Sequence, residues 1–143
     1  MKKMNNKGFS LVELIVVVLI MAIIAVALAP QVMKWVENSR KSTDIENYNA
    51  LIEAATVCST NEDVIAEIKN VTATLTMTSI ANVTGGGSAF TTAMDSTLPG
   101  WRNTKITSGD WKNSSFTIVI ENAAGGKGIS VTKGSVFPTK DFE

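Results

Sequence analysis

The 143-residue chain has no histidine and a single cysteine, Cys58. Histidine is the usual general base and the commonest metal ligand, so both roles lose their ordinary candidate. One thiol allows neither an internal disulfide nor a cysteine-clustered zinc site, and Cys58 reads as a buried structural thiol. The carboxylates are scattered with no pairing around a cleft, so we expect no catalytic residue, no metal site and no cofactor. Charge of one sign is missing too, with 13 basic and 13 acidic residues. That balance leaves no basic footprint for nucleic acid. Aromatics are few, at three Trp, one Tyr and five Phe. Trp101, Trp111 and Phe137 therefore read as core or sheet-edge anchors rather than a ligand cage.

What the chain does have is one long apolar run. From Leu14 to Ala29 every residue is apolar, and no charge falls between Glu13 and Lys34. An uncharged span of about twenty residues crosses a bilayer core. No polar face appears before Gln31, which argues against a half-buried soluble helix. Lys2, Lys3 and Lys7 precede the run, so the positive-inside rule keeps residues 1–8 in the cytoplasm and sends the rest outward. A secretory signal would be cut after the run. Ala25, Ala27 and Ala29 form only a weak small-residue pattern, and Pro30 follows at once.

Glu13 is the costly residue at the head of this run. A carboxylate at mid-bilayer costs about 2.5–3.5 kcal/mol, and less near the interface. Eleven Leu, Ile or Val residues between Leu14 and Leu28, at roughly 0.3–0.6 kcal/mol each, outweigh it. Insertion survives, but the acid needs a partner. A cut between Gly8 and Phe9 would create one, because the new amine of Phe9 lies four residues before Glu13 on the same helix face. A buried charge that is paired is tolerable where a lone one is not.

Lys7-Gly8-Phe9-Ser10-Leu11-Val12-Glu13 resembles the processing motif of type IV prepilins, and the likeness extends through Pro30. The resemblance implies cleavage after Gly8 by a membrane prepilin peptidase, methylation of the Phe9 amine, and filament assembly through Glu13 and Phe9. It also implies, as partners, identical subunits in a helical filament, the pilus assembly machinery and the cytoplasmic membrane before assembly. Many Gram-negative pilins close a C-terminal loop with a cysteine pair, which this chain lacks. The leader, the single cysteine and the compact outer domain look most similar to major pilins of Gram-positive clostridia.

Pro30 lacks an amide hydrogen and crowds the carbonyl of Val26, so a helix kink is expected there, where lipid gives way to water. Beyond it, Ile45, Tyr48, Leu51, Ile52 and Ala55 form an inward stripe. Lys34, Glu37, Arg40, Lys41, Asp44 and Glu46 are expected on the outer faces. The helix should end near Cys58, with Ser59 to Glu62 as a capping box and a second helix over 61–69. A strand is expected over 74–80 and a helical turn from Ser88 to Met94. An antiparallel pair is expected around Phe116 to Glu121 and Ile129 to Thr132, joined by Gly125 to Gly128, with a further strand between Asn103 and Trp111.

The expected fold is α+β: a long N-terminal helix, half membrane and half amphipathic, packed on a small antiparallel sheet in a pilin-like arrangement. Its parts would be a leader at 1–8, a transmembrane and assembly helix at 9–33, and an extracellular domain at 34–143. The leading function is a structural subunit of a surface type IV pilus serving adhesion, motility or biofilm. The alternatives are a pseudopilin of type II secretion or DNA uptake, and a membrane-anchored binding module that never polymerises.

Overall fold

The computed structural model describes residues 8–69, 72–78, 85–122 and 129–134. The chain divides into two compact units, Met1–Val36 and Glu37–Glu143. In the first, helix α1 (Leu11–Cys58) begins, and it continues through Pro30 without a break. Every described residue from Gly8 to Val36 is exposed. An apolar helix with no buried face requires lipid or other helices around it. It is long and apolar enough to cross a membrane.

The second unit opens with the remainder of α1. It continues with α2 (Glu62–Ile68), β1 (Ala73–Thr78), α3 (Ser88–Thr97), a short 3-10 turn (Trp101–Asn103), β2 (Ser115–Asn122) and β3 (Ile129–Lys133). The three strands form one antiparallel sheet with β2 in the centre. Leu75 faces Ile118 and Met77 faces Phe116 across β1 and β2, while Ile120 pairs with Val131 on β3. Ala73, Leu75 and Met77 on β1, and Phe116, Ile118 and Ile120 on β2, are buried alternately, the period of a strand with one face on a core. That core is completed by Tyr48, Leu51, Ala55 and Cys58 of α1, Val64 and Ile68 of α2, Phe90 and Met94 of α3, and Trp101, Ile106 and Trp111. The arrangement is the α+β fold that the periodicities specify.

Tyr48 ties helix to sheet. Its hydroxyl donates to the Thr117 carbonyl at 2.7 Å, and its ring meets Phe116 edge-on at 6.3 Å. Burial pushes the Tyr48 phenol up from its ordinary value, so it remains a donor through the neutral range. Cys58 is buried, with Sγ 3.4 Å from the Thr97 hydroxyl.

Four expectations need correction. The strand between Asn103 and Trp111 does not form. The N–H groups of Thr107 and Ser108, which a strand would offer to a neighbour, go instead to the carboxylate of Asp44. The buried stripe of α1 is Lys41, Asp44, Tyr48, Leu51, Ala54, Ala55 and Cys58, while Ile45 and Ile52 are only partly buried. The Ser59 capping box is absent: Ser59 bonds the Thr56 carbonyl, and Asn61 caps α2 by accepting from Asp63 N at 2.9 Å. The helix from Ser88 runs on to Thr97 and takes its cap from outside itself. Glu67 of α2 accepts from Phe90 N at 3.0 Å and from the Ser88 hydroxyl, placing a carboxylate at the positive end of α3. Ile80, Gly125 to Gly128 and Phe137 lie outside the described residues.

Candidate functional site

The described residues of the cleavage motif lie just before and within the first turn of α1. Gly8 and Phe9 precede the helix, and Phe9 is 88 % exposed. A Cβ added at Gly8 would meet nothing within 4 Å, so the described packing of this chain does not require glycine there. In the uncut chain Phe9 has an amide rather than a free amine, and Glu13 finds a different partner. Its Oε2 accepts from Ser10 N at 3.0 Å, while Ser10 Oγ accepts from Glu13 N at 3.2 Å. This reciprocal pair is a capping box, and the first helical bond, Leu14 N to Ser10 O, closes above it at 3.2 Å.

Ser10 is a site residue that the cleavage motif alone does not single out. Its signal is the spacing Ser10-Leu11-Val12-Glu13 directly ahead of an apolar run. The cap changes the physical account of Glu13. A carboxylate that already accepts a backbone N–H at a helix N-terminus is less costly to keep in or near lipid than an isolated one. Pro30 lies seventeen residues beyond Glu13, inside α1 and exposed. Lacking an N–H, it leaves the Val26 carbonyl without its helical donor.

A second polar constellation lies in the other unit, on a face of α1 that the sequence pattern assigned to solvent. Asp44 is fully buried and accepts from Thr107 N, the Thr107 hydroxyl and Ser108 N, each at 2.8 Å. Glu37 accepts from the Ser108 hydroxyl and from Asp110 N, the latter at 3.1 Å. Lys41 sits between them, 5 % exposed, with Nζ 2.6 Å from Asp110 and 5.8 Å from the centre of the Trp111 ring. Three successive turns of one helix thus grip the loop over 107–111. Steps of four and three residues put Glu37, Lys41 and Asp44 on one face. Among the described residues, no cluster of His, Cys, Asp or Glu could hold a metal ion.

The Ser108 hydroxyl bond holds the Glu37 carboxyl below its ordinary value. Burial opposes it, and the Asp110 and Gly109 N–H groups and Arg40 add smaller effects in the lowering sense. A lowered folded-state value means stability that is present above the unfolded glutamate range and lost as pH falls through the folded value. Glu37→Gln should therefore lower stability at neutral pH and flatten its decline in acid. Urea melts of the detergent-solubilised chain at a series of pH values, followed by tryptophan fluorescence, would show it. An unchanged acid limb would remove Glu37 from the grip on the loop.

The family model described as the prokaryotic N-terminal methylation motif matches residues 3–29. No curated protein and no solved structure matches the chain. The matched residues contain the cleavage motif, the capping box and the apolar run from Leu14 to Ala29. They imply processing by a prepilin peptidase and assembly into a pilus-like complex. The apolar helix with no buried face fits anchoring in a membrane before that assembly. The motif at the head of this helix, in a chain that also carries an α+β unit, supports a type IV pilin-like or pseudopilin-like protein.

Proposed function

We propose that this chain is a structural subunit of a type IV pilus. A prepilin peptidase removes residues 1–8, the amine of Phe9 is methylated, and the helix from Phe9 onward bundles with identical helices to form the fibre core. What carries this reading is the methylation motif leading into a helix whose residues from Leu11 to Val36 are all exposed, with Glu13 at its head. The freedom around Gly8 supports it, since a small residue that this chain's described packing does not need suits a protease. The outer part, residues 34–143, is cargo on the fibre surface, and the compact unit starting at Glu37 supports that boundary. The chain is a substrate rather than a catalyst. Its lone, buried Cys58 supports the closer likeness to major pilins of Gram-positive clostridia.

Association of apolar helices inside lipid gains little from hydrophobicity, so packing, polar pairing at Glu13 and an assembly motor must supply the drive. Mass spectrometry of sheared surface fibres tests the whole reading. A mature chain beginning at methylated Phe9 and dominating the fibres is expected. A processed chain confined to the membrane would instead indicate a pseudopilin, and an uncut chain from Met1 would overturn the cleavage.

Pro30 gives this fibre a weak point. Proline in a helix interior costs about 3 kcal/mol relative to alanine. Pro30→Ala should yield stiffer fibres in single-fibre pulling, and unchanged extensibility would show that α1 does not yield there.

A further inference from the structure

The apolar surface of the Met1–Val36 unit does not stop at Pro30. Val32, Met33, Trp35 and Val36 are all exposed, Trp35 at 67 %, whereas Trp101 and Trp111 are 1 % and 4 % exposed. Two placements of the bilayer compete. If the outer boundary fell at Pro30, the span from Leu14 to Ala29 would be about 24 Å, short of a hydrocarbon core of about 30 Å. Four apolar side chains, one of them an indole, would also stand in water. If the boundary falls at Lys34, the uncharged stretch from Leu14 to Met33 rises about 30 Å and fills the core. Glu13 and Lys34 then mark its two faces.

We propose that Lys34 and Trp35 form an anchor in the outer headgroup layer of the bilayer, resting on the reading of this unit as membrane-spanning. The partner is the phosphate and ester region of glycerolipids. An indole has an apolar body for the acyl boundary and an N–H for an ester or phosphate oxygen, and a lysine beside it extends its ammonium to phosphate. Continuity with the exposed apolar surface below it commits this patch to lipid, because no described residue from Gly8 to Val36 is buried. Pro30 is then about 6 Å beneath Lys34, inside the hydrocarbon, and the Val26 carbonyl lies deeper still. The weak turn of α1 is shielded from water while the subunit is stored.

Depth-dependent fluorescence quenching tests this directly. The full chain and its Trp35→Phe variant are reconstituted in phosphatidylcholine–phosphatidylglycerol vesicles, and the difference between them isolates the Trp35 emission from that of the buried Trp101 and Trp111. Acyl chains brominated just below the headgroup should abolish most of that emission, and bromines near the bilayer centre should leave most of it. Flotation of the same vesicles reports insertion separately. A chain that floats with Trp35 unquenched, or quenched more strongly by the deep bromines, would overturn the anchor and leave the membrane reading standing. A chain that does not float would overturn both.

Discussion

Glu13→Ala should leave membrane insertion intact and reduce fibre yield by about tenfold to a hundredfold, the effect of losing one charge-assisted hydrogen bond of roughly 1.5–3 kcal/mol per docking subunit. Removing a charge from an apolar helix favours insertion, so a drop in fibres with full membrane content isolates assembly as the affected step. The capping box supplies the control. Ser10→Ala breaks the Ser10 Oγ bond to Glu13 N but keeps the carboxylate available to an amine. If Glu13 serves docking, Ser10→Ala fibres should stay near the wild-type yield. Equal losses in both variants would mean that Glu13 matters as a helix cap. Wild-type yield for Glu13→Ala would exclude it from assembly altogether.

The largest stability effect is expected at Asp44. Its carboxylate is the acceptor for two backbone N–H groups and one hydroxyl of the loop over 107–108. Asp44→Ala leaves those donors without a partner beside a core residue, with Ser108 itself buried. A loss of about 3 kcal/mol follows, against a typical domain stability of about 5–15 kcal/mol. Asp44→Asn should be almost as damaging despite its nearly identical shape. It keeps one oxygen but turns an NH2 toward either Ser108 N or the Thr107 donors, setting donor against donor. Denaturant melts of the solubilised full chain, read through Trp101 and Trp111, measure both variants. Rescue by asparagine would show that a single acceptor is enough to seat the loop.

The sequence determined the parts governed by local rules. An unbroken apolar run with flanking charges permits only a membrane or a shared helical core, whatever surrounds it. The helix end near Cys58 and the alternation around Phe116 to Ile120 were equally legible, because period and propensity act within a few residues. The motif at Gly8, Phe9 and Glu13 is a linear signal, legible without a fold.

Tertiary structure decided which way the charged turns of α1 face. Glu37, Lys41 and Asp44 are polar, and hydropathy alone sends them to solvent. Asp44 and Glu37 turn toward a loop more than sixty residues away because it presents N–H and hydroxyl donors that need acceptors, and Lys41 between them pairs with the Asp110 carboxylate of the same loop. The same distant pairing took the backbone donors of Thr107 and Ser108 and so prevented the strand expected there. Glu67 capping α3 across a gap of 23 residues is a third instance. In each case a buried donor must be matched, and the match came from whichever acceptor the fold brought near, a fact that no local window of residues contains.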